Sequence, residues 1–180
     1  MGRALTCKIS SPASGKRGGG SLKKPPVVRR LEIRYQDLDP YGHVNNAVYL
    51  QFFESLRFAY WRALAEVVGV SEFEAGGIIP GGRYVIAETT VRYRAELLFG
   101  DELHGAASIR SVGNRSFVMD YELRKGPSFA GGSPVADGSA VHVFYDMRSG
   151  RSRPRPGWFL PAVAELEGRP ERDFAPEGAG

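Results

Sequence analysis

Over residues 46–68 the chain reads NAVYLQFFESLRFAYWRALAEVV, one helical period sustained for about six turns. Tyr49, Phe53, Leu56, Tyr60, Ala63, Leu64 and Val67 fall on one face of this helix, and Gln51, Ser55, Arg62 and Glu66 fall opposite. Glu54, Arg57, Phe58 and Trp61 occupy the flank between, so aromatic and apolar groups cover well over half the circumference. A helix of that kind has to be packed on more than one side. The rest of the 180 residues must supply the surface that wraps it.

That surface reads as strands. Val27, Arg29, Leu31, Ile33 and Tyr35 alternate with Val28, Arg30, Glu32, Arg34 and Gln36, predicting a strand that ends near Asp37. After the helix, RYVIAETTVRYRAELL (83–98) alternates Val91, Tyr93, Ala95 and Leu97 against Arg92, Arg94 and Glu96. A turn at 99–101 leads into ELHGAASIRSV, and Gly113-Asn114 is a hairpin signal. RSFVMDYELRK then puts Phe117, Met119, Tyr121 and Leu123 on one face. GPSFAGGSP is a loop, and VADGSAVHVFYDM is the last strand. Strand, long helix, then four successive antiparallel strands predict an α+β domain, one sheet wrapped over one helix. The chain thus divides into a basic tail (1–26), a folded domain (27–150) and a C-terminal extension (151–180). The extension has a short helix expected over 161–166 and a frayed end.

Charge narrows the range of partners. Eight of the 24 Lys and Arg lie in the first 30 residues, which hold no acid. The other sixteen face all 20 Asp and Glu, so the remainder carries −4 although the whole chain is +4. A nucleic-acid protein places its basic surface on the folded domain, and this chain places it on a tail, so no nucleic-acid partner is expected. The tail has no period and no apolar signal core, and reads as disordered. No apolar run approaches the roughly 18 residues that would span a bilayer, so no membrane partner is expected either. Cys7, the single cysteine, lies in the tail, which excludes a disulfide framework and fits a cytoplasmic setting. His43, His104 and His142 stand far apart and form no ligand pair at i, i+4, so no metal site is expected.

The chemistry gathers just ahead of the helix, in DLDPYGHVNN (37–46). Pro40 and Gly42 resist helix, and Asn45 or Asn46 suits an N-cap. A helix start leaves N–H groups unpaired and carries the positive end of the dipole. An acyl carbonyl resting on those groups would be polarised, and Asp37 or Asp39 could attack it or direct a water at it. Gly42 would let a substrate come close to the backbone. Asp and Asn also build plain turns and caps, so spacing by itself leaves both readings open.

The same residues resemble the active-site loop of the 4-hydroxybenzoyl-CoA thioesterase-like family. Its D-x-D-x-x-G pattern is matched by Asp37-Leu38-Asp39-Pro40-Tyr41-Gly42, and its Y-x-x-x-x-E-x-x-R helix by Tyr49, Glu54 and Arg57. GHVNN at 42–46 resembles the variant in many acyl-CoA and plant acyl-ACP thioesterases. VIAETTVRYRAELLFGDEL is similar to the family's second strand and Gly-Asp turn, so the resemblance covers roughly residues 28–148.

The resemblance implies a hotdog fold, a five-stranded antiparallel sheet wrapped around one long central helix. It implies hydrolysis of acyl-CoA to free acid and CoA with no cofactor beyond the coenzyme A of the substrate. It also implies a homodimer or homotetramer with the acyl channel between subunits. Asp39 matches the family's nucleophile or general base, and Asp37 is expected to cap the loop. Asn46 falls at the helix start, where a backbone N–H contacts the thioester oxygen and some relatives carry a catalytic histidine. His43 matches a histidine that plant acyl-ACP thioesterases use, although Tyr41 stands where those enzymes have Asn. Tyr41 and Gly42 are expected to line the substrate, and Glu54 either to meet it or to pair with Arg57. Arg148 and Arg151, in an arginine-rich stretch, would meet the CoA phosphates or else form a solvated tail. Three other activities fit less well: a non-catalytic acyl-CoA binding protein, an acyl-ACP thioesterase, and a hotdog hydratase, which needs a differently placed His and carboxylate.

Overall fold

The long helix, α1 (Val48–Val68), forms as the periodicity requires but opens two residues later than expected. The Asn45 side chain is the reason: its Oδ1 accepts the Ala47 N–H at 2.9 Å and holds residues 45–47 in a turn. Tyr49, Phe53, Leu56, Tyr60 and Leu64 are buried, and so are Phe52, Ala59, Trp61 and Ala65 on neighbouring faces. Gln51, Ser55, Arg62 and Glu66 stay exposed. The computed structural model describes residues 22, 24–71 and 79–176. The basic tail with Cys7 lies outside these apart from residues 22 and 24–26, and the last four residues lie outside them too.

The wrapping surface is one antiparallel sheet. Its strands are β1 (Val27–Leu31), β2 (Tyr84–Tyr93), β3 (Leu103–Val112), β4 (Ser116–Lys125) and β5 (Ser133–Asp146), in the order β1-β3-β4-β5-β2. A sixth strand of two residues, β6 (Arg151–Ser152), pairs with the end of β5, so the expected five become six. Two strands are shorter than their alternation suggests. β1 stops at Leu31 because Arg34 and Asp37 close a tight turn over Tyr35–Asp37. β2 stops at Tyr93, after which the Arg94 and Ala95 N–H groups both donate to the Val135 carbonyl, at 2.8 and 3.2 Å.

The helix sits directly on the sheet at Gly138 of β5. A Cβ there would stand 2.6 Å from the Phe53 ring and 2.2 Å from the Thr90 carbonyl oxygen, so only glycine fits. Phe53 in turn stacks on Tyr121 of β4 at 4.6 Å and 9°. A second helix, α2 (Phe159–Glu167), adds fully buried Phe159 and Val163 to the core. The segment beyond it is not frayed over its described part: Glu171–Phe174 form a tight turn, and Phe174 is fully buried beneath the Arg169 guanidinium. Among the described residues no helix is long and apolar enough to cross a membrane.

α2 also completes the sheet edge. β1 pairs with β3 only as far as Ala107, which would leave the backbone beyond without partners. Glu167 accepts the Ile109 N–H at 2.6 Å, and Arg169 donates to the Ile109 carbonyl at 2.7 Å. The same carboxylate accepts from Ser108 Oγ at 2.8 Å and Tyr60 Oη at 2.9 Å, tying sheet, α1 and α2 together. Burial pushes the Glu167 carboxyl above its ordinary value even against these donors. Glu167→Ala strands three donors in the interior and should lower unfolding free energy by about 2–4 kcal/mol in urea titrations. A loss under about 0.5 kcal/mol would show that the edge closes without it.

Candidate active site

The loop between β1 and α1 is built almost wholly by its own polar groups. Asp37 is buried, and Arg34 reaches it three ways: backbone N–H at 2.8 Å, Nε at 3.3 Å and Nη2 at 2.8 Å. Burial pushes the Asp37 carboxyl up, but the Arg34 hydrogen bonds and charge together pull it below its ordinary 3.8. The Asp37 carbonyl accepts the Asn45 N–H at 2.8 Å, so both ends of the loop are joined. Inside this closure Asp39 Oδ1 accepts from the Tyr41 N–H at 2.9 Å and the His43 N–H at 3.1 Å. The Asp39 N–H donates to the His43 carbonyl at 2.8 Å. Gly42 completes the turn at φ +81°, a backbone state that favours glycine. One Asp39 oxygen is therefore fixed, and among the described residues nothing donates to the other.

The helix start is pinned as tightly. The Val48 N–H donates to the Asn45 carbonyl at 2.9 Å, and the Ala47 N–H is taken by the Asn45 side chain. The carbonyl of that same Asn46–Ala47 peptide accepts from Tyr93 Oη at 3.1 Å, so the peptide is held at both ends. Tyr93 stands at the end of β2 and packs edge-on against Tyr49 at 5.0 Å. Burial, then Tyr93 and Asp101, pushes the Tyr49 phenol up to about 12. Among the described residues no acceptor meets the Asn46 N–H, and the side chain at 46 is exposed and caps nothing. Asn46 thus brings a backbone donor to the site.

The chain that carries this loop and helix start is similar to known proteins. The profile of the thioesterase-like superfamily matches residues 33–163. The chain belongs to the thioesterase-like superfamily. The long-chain acyl-CoA thioesterase FadM of Escherichia coli K12 is 26% identical over 120 residues, 67% of this chain and 83% of that protein. A thioesterase from Thermus thermophilus, solved with coenzyme A and Zn, superposes with TM-score 0.68 at 30% identity. That match covers 83% of this chain and 99% of the other. A thioesterase superfamily protein from Jannaschia sp. CCS1 superposes with TM-score 0.61 at 25% identity, covering 79% and 82% of the two chains. The hotdog architecture and family expected from the loop and helix motifs are both borne out.

Within this thioesterase-family chain the remaining candidates separate. His43 Nε2 stands 3.3 Å from Glu96 Oε2, a carboxylate the loop motif gives no hint of. Glu96 follows β2, beside Leu97, whose carbonyl accepts the Val44 N–H at 2.8 Å. Tyr93 was likewise invisible as a site residue, since in sequence it is one aromatic in an alternating strand. Tyr41 is exposed at the tip of the loop. Glu54 pairs with Arg57 at 3.0 Å. Arg148 and Arg151 are exposed around the turn from β5 to β6, at the Tyr84 end of β2. Tyr93 and Asn46 are at the other end, nine residue steps and about 30 Å away, so one chain does not bring these arginines to Asp39.

The Asp37 clamp can be tested by pH. Its folded-state value lies below the unfolded 3.8, so its stabilisation is fully present above that pH and is lost as pH falls through the folded value. Asp37→Asn should lower the melting temperature by about a few degrees at neutral pH, and the gap to wild type should close below pH 3.8. A gap that is constant across acid pH would remove the Arg34 clamp as its cause.

Proposed function

We propose that the protein hydrolyses acyl-CoA thioesters to the free acid and CoA, with Asp39 as the reacting carboxylate. One observation carries this reading: in a thioesterase-family chain, Asp39 Oδ1 is fixed by two N–H groups while Oδ2 stays open, on the loop that ends at the unclaimed Asn46 N–H. In the reaction, Oδ2 takes a proton from a water whose oxygen bonds the thioester carbon. The carbonyl oxygen gathers negative charge and receives the Asn46 N–H. The tetrahedral species then collapses, the carbon–sulfur bond breaks, and CoA leaves as the thiolate. Direct attack by Oδ2 through an anhydride uses the same groups. His43, held by Glu96, orders the loop from outside, and Tyr93 keeps the Asn46 peptide in one plane. Nothing in this route calls for a cofactor other than substrate CoA.

The second part of the reading is a homodimer through β2. This ten-residue strand pairs with β5 on one side and, among the described residues, leaves its other edge open, with Val85, Ile86 and Tyr93 exposed along it. A long, apolar, unpaired edge is a pairing surface, and a second copy is its self-complementary occupant. Pairing about a two-fold axis runs the two strands antiparallel. Each Tyr84 end then meets the other chain's Tyr93 end, which carries Arg148 and Arg151 of one copy toward the Asp39 loop of the other. There their guanidinium groups suit CoA phosphates.

Thiol release from acyl-CoA esters of graded length tests the chemistry. Asp39→Asn should reduce kcat by about a hundredfold or more, and Tyr93→Phe by roughly threefold to tenfold with little change in KM. No turnover of any ester by wild type, with saturable acyl-CoA binding kept, would turn the reading to a binding protein. Sedimentation tests the assembly. Wild type should sediment at roughly twice 19.7 kDa, and Val85→Lys with Ile86→Lys should shift it to one chain with loss of hydrolysis. A fully active wild-type monomer would overturn the interface.

A further inference from the structure

Beneath α1 lies a cluster of polar side chains that the hydrolysis above does not use. Arg57 and Trp61 come from α1, Tyr84 from β2, Tyr121 from β4 and His142 from β5. His142 is 0% exposed, Tyr121 2% and Trp61 4%, so each is more than nine-tenths buried. Among the described residues, Trp61 Nε1, Tyr121 Oη and both His142 ring nitrogens meet no hydrogen-bond partner. Native interiors leave few buried polar atoms in that state.

The rings cannot turn away to find partners. His142 stacks on Phe117 at 4.5 Å and 3° and meets the Tyr84 ring edge-on at 5.1 Å. Trp61 stacks on Tyr84 at 5.1 Å and 13°, and Tyr121 on Phe53. The Arg57 guanidinium, 12% exposed, acts on Tyr84, Tyr121 and His142 together. Burial, and then the Arg57 charge, holds the His142 imidazole down to about 3, so it is neutral and adds no competing cation. Within the cluster Arg57 approaches the Tyr84 and Tyr121 hydroxyls, the Trp61 indole approaches Tyr84, and the backbone of Phe117 and Ala140 lies against His142, while Glu54 meets Arg57 Nη2 from the solvent side and is itself half exposed.

The cluster borders an open face. Glu54 and Phe58 on α1 and Ile86 on β2 are all exposed beside it, where the helix leaves the inner side of β2 uncovered. Arg57 lies eleven residues beyond Asn46, about 16 Å along the helix axis. An acyl group whose thioester oxygen rests on the Asn46 N–H and whose chain follows α1 brings its far end to Arg57.

Resting on the acyl-CoA hydrolase reading, we propose that the Arg57–Tyr84–Tyr121–His142 cluster binds a carboxylate at the far end of the acyl chain, so that the preferred substrates are CoA monothioesters of medium to long α,ω-dicarboxylic acids. A carboxylate supplies charged acceptors to the buried groups left without a well-aligned partner, and a guanidinium flanked by phenol and indole donors is suited to hold it.

Matched pairs of esters decide this: CoA monothioesters of short, medium and long diacids, each beside the unsubstituted acyl-CoA of equal length. The expected result is a preference for the diacid ester of about tenfold or more in kcat/KM at medium to long length and none at short length. Arg57→Met should abolish the preference by raising KM for the diacid ester while leaving the unsubstituted ester within about twofold. Arg57→Lys, which keeps the charge, and His142→Phe, which keeps the ring, serve if Arg57→Met does not fold, and each should reduce the preference. Equal or better turnover of the unsubstituted ester at every length would overturn the proposal. Titration of the free diacids against tryptophan fluorescence, which reports on Trp61 and on Trp158 packed edge-on against it at 6.4 Å, decides it separately from turnover. Saturable quenching by medium or long diacids, lost in Arg57→Met, supports the site even if no ester is hydrolysed, an outcome that would sink the hydrolase reading alone. No quenching by any diacid, with only water between Arg57 and His142 in a crystal soaked with them, would overturn the site.

Discussion

Burial of a helix that is aromatic around most of its circumference is the constraint on which the rest of this structure depends. One flat surface can cover only part of such a helix, so the sheet has to curve around it. The curve is possible because α1 rests on Gly138, where any side chain would strike Phe53 or the Thr90 carbonyl. α2 then covers Tyr60 and the upper part of the helix, and its end supplies Glu167 and Arg169 to the backbone of β3 that β1 does not reach. A single buried carboxylate thereby links the helix, the sheet and the C-terminal segment, so that core packing and edge closure stand or fall together.

The site follows from how such a helix can begin. A helix entering a curved sheet needs a rigid approach, and the loop provides it by satisfying its own backbone with Asp37, Asp39 and Asn45. Once those acceptors are assigned, one oxygen of Asp39 and the N–H of Asn46 are left without a partner among the described residues. A loop that was looser would offer more free groups, but none with a fixed direction, and fixed direction is what stabilises charge as it develops. Tyr93 extends the same rigidity across the fold, since β2 must be in register for its hydroxyl to reach the Asn46 carbonyl.

Elsewhere the chain leaves two kinds of surface unsatisfied, and both lie along β2. Among the described residues its outer edge has no strand beside it, and its inner side opens onto polar groups that find no partners. Folded chains rarely leave either without a use, because unpaired strand edges invite association and unpaired buried donors cost free energy. The proposed second copy at the edge and the proposed acyl chain ending in a carboxylate on the inside would resolve both with one arrangement.

Much of this could be read directly from the residues. The helix, the strand sequence and the Asp39–Gly42–Asn46 loop are local patterns, and local patterns are set by period, by turn-forming residues and by unpaired N–H groups near in sequence. The late start of α1, the early ends of β1 and β2 and the buried Phe174 depended on hydrogen bonds and packing partners that periodicity cannot register. Glu96 beside His43, Tyr93 on the Asn46 carbonyl, and the meeting of Arg57 with His142 join residues more than forty positions apart. Arg148 and Arg151, linked to the loop by their chemistry, prove to stand at the far end of β2. The sequence by itself determined which elements form and which groups can react, because those follow from neighbours along the chain. Which groups meet was decided only by the tertiary structure, because strand order and register bring together residues that share no local signal.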